Sequence, residues 1–250
     1  MKTNTSYISD SVVIKTDEDH LNAVTAPSIR IHHAGTTAEE THIIKEKKRY
    51  GYLFIKRTFD IVASFFGLVL LSPLFLAISV AILIDSRGKI VYSQRRIGKN
   101  GKVFRIYKFR SMVKNADEVL MRFTPEQRAE FEVNFKLEND PRITKVGAFL
   151  RNTSLDELPQ LINIFLGHIS VIGPRPIVEY ETYKYSDKID KLLSIKPGLT
   201  GYWQVNGRSD TTYEERVDME IYYIDNCSIL FDIKIFLATF AVVLKRKGAC

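Results

Sequence analysis

The chain has 250 residues, 45% hydrophobic and 26% charged, with a net charge of +7 from 36 Lys and Arg against 29 Asp and Glu. That length holds a membrane element plus one globular domain and leaves no room for a second full domain. Two cysteines, Cys227 and Cys250, exclude a zinc ribbon or a disulfide framework, and His168 is the only histidine beyond position 44, so histidine-based catalysis is poorly supplied.

Residues 1–44 carry Lys2, Lys15 and Arg30 against Asp10, Asp17, Glu18, Asp19, Glu39 and Glu40, a net of −3, which leaves +10 for the rest. This separates an acidic, Thr/Ser-rich leader, expected to be disordered, from a basic body suited to anionic lipid, nucleic acid or phosphate-bearing substrates. Asp17-Glu18-Asp19 has the Asp-x-Asp form of a metal signature, but its place in this leader discounts it.

Residues 45–60 mix basic residues with Tyr50, Tyr52, Phe54 and Phe59, as a helix entering a headgroup region does. The 24 residues 61–84 then carry no charge, bracketed by Asp60 and Asp85. As one helix they would run about 36 Å, enough for a bilayer's hydrocarbon. Ser72-Pro73 sits at the midpoint, where proline lacks an N–H and clashes with the carbonyl four residues back, so a bend is expected there, with Ser72 available to bond the freed carbonyl. Basic residues crowd both flanks, Lys56 and Arg57 before, Arg87 and Lys89 after, and such flanks stay cytoplasmic. The residues alone leave a re-entrant hairpin and a kinked span equally open.

Apolar and basic residues interleave over 90–112 around Asn100-Gly101, which predicts a basic β-hairpin. A solvated, charge-rich pair of helices is expected over 113–139, broken at Thr124-Pro125, and a short helix over 143–150. Pro159 is tolerated only near a helix start, so a helix should begin at 154–158 and run to 165–167. There follow a short strand at 169–172, the loop Gly173-Pro174-Arg175-Pro176, a Tyr-rich helical stretch to Leu193, a glycine-rich segment at 196–208 implying turns and close backbone approach, and a polar helix at 212–226. Residues 229–244 are mostly apolar but contain Asp232 and Lys234, and with Lys245-Arg246-Lys247 behind them should lie on a membrane surface. The expectation is a mostly helical α+β chain: leader 1–44, interfacial and membrane helix 45–88, and domain 89–250.

Ser154-Leu155-Asp156-Glu157 fits a capping box, in which Ser154 and Glu157 satisfy free backbone donors and Asp156 complements the helix dipole. A catalytic carboxylate pair is the alternative reading of the same residues. Lys108, Arg110, Arg151, Arg175 and Arg208 each lie among glycine, proline or aromatic residues, where a backbone can hold a cation toward phosphate, although exposed Arg and Lys are ordinarily just surface charge.

Taken in order, Lys56-Arg57-x-x-Asp60, the apolar Ser72-Pro73 hairpin, Tyr107-Lys108-Phe109-Arg110-Ser111-Met112, Asp140-Pro141-Arg142, Arg151-x-x-Ser154-Leu155-Asp156-Glu157-Leu158-Pro159-Gln160, Gly173-Pro174-Arg175-Pro176, and Gly198-Leu199-Thr200-Gly201 through Asn206-Gly207-Arg208 resemble the bacterial sugar transferase family. These are monotopic polyprenyl-phosphate phosphoglycosyl transferases, and the resemblance covers residues 50–250. It implies transfer of a sugar-1-phosphate from a UDP-sugar to undecaprenyl phosphate with release of UMP, at the cytoplasmic face of a bacterial inner membrane. It further implies a re-entrant 61–84 and a dyad of Asp156 as nucleophile and magnesium ligand with Glu157, the latter a candidate proton acceptor for the lipid phosphate. Lys108, Arg110, Arg142, Arg151, Arg175 and Arg208 would bind substrate. Lys247-Gly248-Ala249 resembles members that use galactose or glucose, and the polar leader resembles the short form. Besides membrane lipid, a homodimer and downstream glycosyltransferases are the partners that fit, and nucleic acid is not one. The rivals are a polyprenyl-phosphate glycosyltransferase that releases UDP and a membrane-tethered nucleic-acid binder, which the basic hairpin alone would suit.

Overall fold

Two apolar helices, α1 (Tyr50–Leu70) and α2 (Ser72–Asp85), meet at Leu71 with their axes bent by 60°. Pro73 offers no N–H to the carbonyl of Val69, and the Ser72 hydroxyl donates to that carbonyl at 2.8 Å, so the break leaves it satisfied. Among the described residues no single helix is long and apolar enough to cross a membrane; only the bent pair is, taken together. The computed structural model describes residues 50–134, 137, 139–207 and 211–244, all within the unit Lys47–Cys250. The leader, Arg208 and residues 245–250 lie outside them.

The remaining elements make a mostly helical α+β chain with two small sheets. Strands β1 (Val91–Ile97) and β2 (Val103–Phe109) form the expected antiparallel hairpin, with Asn100 and Gly101 at φ of 56° and 73°, the left-handed pair that an Asn-Gly turn supplies. Helices α3 (Ala116–Met121), α4 (Pro125–Asn134), α5 (Lys145–Asn152) and α6 (Gln160–Leu166) follow. Then come β3 (Ser170–Ile172), a 3₁₀ stretch (Glu179–Lys188), α7 (Ile189–Leu193), β4 (Gly198–Thr200), α8 (Tyr202–Asn206), α9 (Tyr213–Asn226) and α10 (Ile229–Leu244). β3 and β4 pair in parallel, an arrangement the glycine-rich segment had not revealed as strand. Close approach there is real, since a Cβ on Gly198 would stand 2.1 Å from the Gly173 nitrogen.

The Lys56-Arg57-x-x-Asp60 motif turns out to be a three-way latch for α1. Lys56 pairs with Asp232 of α10 at 2.5 Å, and that carboxylate also accepts from Tyr52 and Tyr223, which accounts for a charge inside an apolar helix. Arg57 donates to the Ile164 and Phe165 carbonyls at the end of α6, at 2.7 and 2.8 Å. Asp60, 3% exposed, accepts from the Ser170 hydroxyl and the Val171 amide of β3. Behind these bonds lies an apolar cluster of Ile164, Ile169, Val171, Ile172, Tyr223 and Ile235.

Two expectations need correction. The 154–157 capping box does not form: Ser154 is left-handed (φ 57°) and caps nothing with its side chain, while Glu157 turns to Lys108 instead. Such a box does form at Thr212 and Glu215, at the start of α9. The helical pair within 113–139 is also less solvated than its charge suggested, because Phe123 is buried and, with Phe131, flanks the Arg142 guanidinium at 5.1 and 5.0 Å.

Candidate active site

Asp156 and Glu157 lie in a single 3₁₀ turn, Leu155–Glu157, between α5 and α6. Leu155 and Leu158 on either side pack against Ile78, Ile82, Phe109 and Leu150, so the apolar neighbours anchor the turn. The left-handed Ser154 at its entry costs a non-glycine residue roughly 1–2 kcal/mol, which the anchored leucines offset.

The hairpin supplies the cations. Cross-strand partners share a face, and the register pairs Tyr92 with Lys108, Gln94 with Ile106 and Arg96 with Phe104, which puts Lys108 and Arg96 on one face. Lys108 Nζ donates to Glu157 Oε1 at 2.6 Å. Asn163 of α6, fully buried, secures this approach: its Oδ1 accepts from the Tyr107 amide at 2.9 Å and its Nδ2 donates to the Arg105 carbonyl at 2.7 Å. One amide thus joins the helix that follows the dyad to the strand that carries Lys108. His168 contacts the same amide and stacks on Phe104, a structural place.

The two carboxyls differ electrostatically. Burial pushes Asp156 up to about 6 against the pull of Lys108 and Arg151, with Glu157 adding to the rise. Burial also acts to raise Glu157, but the charges of Lys108, then Arg175 and Arg96, outweigh it and hold it below the ordinary glutamate value. A value near 6 leaves Asp156 mostly ionised at about pH 7, and Glu157, held lower, is ionised there too.

The other cations named by the sequence divide into two groups. Arg151 donates its Nε to Ser111 at 2.8 Å and lies near enough to act on Asp156, while Arg175 acts on Glu157 and stands 6.0 Å from the Trp203 ring. Arg142 forks onto Asp140 through Nε and Nη2, at 2.8 and 2.7 Å, and is 7% exposed. Arg110 donates to the carbonyls of Ser86 and Arg87 just past α2. These two hold the frame and make no hydrogen bond to the dyad. Arg208 lies outside the described residues.

Sequence reasoning missed Arg96, Asn163, Arg216 and Glu220. Arg96 could have been found from the hairpin register, two pairs along from Lys108 on the same face. Arg216 and Glu220 show the i,i+4 spacing of a helical ion pair, but nothing in the spacing tells that both are buried. Among the described residues no three His, Cys, Asp or Glu side chains gather as a metal cage. With Glu157 engaged by Lys108, Asp156 is the carboxylate left to hold a divalent ion, which fits magnesium, a cation that takes one or two carboxylates and completes its shell with phosphate oxygens and water.

Residues 51–246 match the family described as "Bacterial sugar transferase". The chain is 50% identical over 199 residues to an undecaprenyl-phosphate galactose phosphotransferase of Salmonella typhimurium, covering 78% of this chain and 42% of that one. It is 45% identical over 197 residues to the exopolysaccharide production protein ExoY of Rhizobium meliloti, covering 78% and 87%. It is 41% identical over 194 residues to a UDP-glucose:undecaprenyl-phosphate glucose-1-phosphate transferase of Escherichia coli, covering 74% and 39%. The chain therefore spans less than half the length of the first and third of these relatives.

Proposed function

Since this chain belongs to the bacterial sugar transferase family, we propose that it moves a hexose-1-phosphate from a UDP-hexose, galactose or glucose, to undecaprenyl phosphate in surface polysaccharide synthesis. In the first step an Asp156 carboxylate oxygen attacks the β-phosphorus. The bridging P–O bond breaks with its electron pair passing to the α-phosphate, and UMP leaves. In the second step a phosphate oxygen of the lipid attacks the same phosphorus and releases the Asp156 carboxylate, giving undecaprenyl diphosphate hexose. The observation that carries this reading is the charge division in one turn: a buried carboxylate, ionised at neutral pH without a general base, beside a second one held by Lys108.

An anionic nucleophile meeting a diphosphate must overcome repulsion, and Arg151, Arg175 and Lys108 lie around the dyad to offset it. Magnesium held by Asp156 would supply further charge neutralisation of the diphosphate. Glu157, held below its ordinary value, is a weak proton acceptor, and its part is to fix Lys108 beside the reacting phosphate.

The membrane reading follows from the bend. With the two legs equally inclined, the 60° bend tilts each by about 30° to the surface, and the 14 residues of α2, about 21 Å long, then descend about 10 Å from Asp85 to Leu71, short of the roughly 15 Å of one leaflet's hydrocarbon. Exposed Leu230, Ile233, Leu237 and Phe240 recur along α10 at helical spacing and suit a helix lying on the cytoplasmic surface of the same membrane.

The test is to incubate the full-length protein with a UDP-hexose labelled in the sugar, with no lipid phosphate present, and to analyse the intact protein by mass spectrometry. A hexose phosphate adduct, lost on adding undecaprenyl phosphate and absent in Asp156→Asn, is the expected result. Turnover that releases UDP, or proceeds in Asp156→Asn, would overturn the reading.

A further inference from the structure

A buried network backs the Arg175 loop. Glu220 of α9 is 1% exposed, and its Oε1 accepts from the Arg175 backbone amide at 3.2 Å and from Arg216 Nε at 3.3 Å. Its Oε2 accepts from the Tyr185 hydroxyl at 2.5 Å. Arg216, 6% exposed, is held in turn against the rings of Trp203 and Tyr213 at 4.7 and 4.9 Å and lies 3.8 Å from Glu181. The loop is gripped a second time by Arg96, whose Nη1 donates to the Pro176 carbonyl at 3.1 Å.

A buried carboxylate is costly to keep unless its oxygens are fully used, and these are spent on a backbone amide, a guanidinium and a phenol. Holding a fold together would need no ion pair at this spot, since apolar side chains of similar volume in place of both Glu220 and Arg216 often do that as well. What the carboxyl group adds is an acceptor directed at the one backbone N–H that belongs to Arg175. We propose that Glu220, aligned by Tyr185 and Arg216, is a positioning residue that fixes the backbone of Arg175 so that its guanidinium meets the diphosphate of the donor substrate. The proposal rests on the reading of Arg175 as a phosphate ligand given above.

The experiment is a double-mutant cycle on the full-length protein in membranes, reading UMP release and the KM for the UDP-hexose. Arg175→Ala is expected to lower kcat/KM about 100-fold, the scale of losing one group that stabilises transition-state charge. Glu220→Ala should lower it about tenfold in the parent and leave it unchanged in the Arg175→Ala background, since a misplaced arginine that is already gone costs nothing further. Glu220→Gln, which keeps an acceptor for the Arg175 amide, should recover most of the loss. If Glu220→Ala fails to fold, Tyr185→Phe removes one bond to the same carboxylate and should show the same masking with a smaller effect. Equal fold losses in both backgrounds would overturn the positioning role while leaving Arg175 in place. Full activity in Arg175→Ala would remove the phosphate ligand itself and the proposal with it.

Discussion

Lys108 Nζ stands 2.6 Å from Glu157 Oε1, while Asp156, one residue earlier in the same turn, has no ion pair among the described residues. Two adjacent carboxyls are thereby made unequal by a single lysine on the facing strand. One is tied to a cation and held below its ordinary value, and the other is buried and pushed above it.

Removing that lysine's charge should move the pH profile as well as the rate. Lys108 holds both Asp156 and Glu157 down, so in Lys108→Gln both rise and the acid limb of kcat/KM should shift to higher pH. At pH 7 a loss of about 100-fold is expected, with partial recovery toward pH 8.5. Rates measured from pH 5 to 9 check this, and a lower rate with an unmoved midpoint would show that Lys108 does not set the charge of the dyad.

The parent enzyme's first half-reaction should fall off as the pH drops through about 6, where Asp156 takes up its proton. Stability should run the opposite way. Asp156 is raised on folding, so its contribution is greatest below the unfolded value near 4 and is lost as the pH rises through about 6. Asp156→Asn, expected to be inactive, should therefore be more stable than the parent at pH 8, by at most about 3 kcal/mol, and show no advantage at pH 4. Thermal melts at the two values decide it.

Arg142 predicts a structural phenotype. Its forked pair with Asp140 is buried between Phe123 and Phe131, so Arg142→Leu leaves a buried carboxylate uncompensated and should cost about 3–5 kcal/mol. The double change Asp140→Leu with Arg142→Leu should cost less than Arg142→Leu alone. Denaturant unfolding of the three proteins measures this, and a neutral Arg142→Leu would contradict it.

The bend can be tested through the carbonyl it frees. Ser72→Ala should cost about 1 kcal/mol in the parent and less when Pro73→Ala restores an N–H for Val69. For the re-entrant reading, Tyr50→Cys and Arg87→Cys should both resist an impermeant thiol reagent applied to intact cells. Labelling of one of them would mean the pair spans the bilayer.

How much of this was legible in the chain depends on range. The break at Ser72-Pro73, the Asn100-Gly101 turn, the stop at Gly167 and the starts of α4 and α9 were readable because proline, glycine and capping residues constrain their own backbone and a few neighbours. The family motifs pointed to the Asp156-Glu157 turn and to Lys108. They did not tell that Arg110 and Arg142 are spent on Ser86, Arg87 and Asp140, since a guanidinium's partner is decided by which carbonyls and carboxylates the packed chain brings within about 3 Å.

Local covalent limits and apolar spacing therefore settled, from the residue order alone, where the helices break and which stretch is apolar enough for lipid, while the acidic pair was picked out by its resemblance to a family motif. Only tertiary packing decided that Glu157 leaves its local cap for Lys108, 49 positions back, that Asp156 is buried enough to titrate near 6, and that Glu220 reaches the Arg175 amide. The reason is physical: desolvation and charge pairing depend on what the rest of the chain places nearby, and no short run of sequence contains its own surroundings.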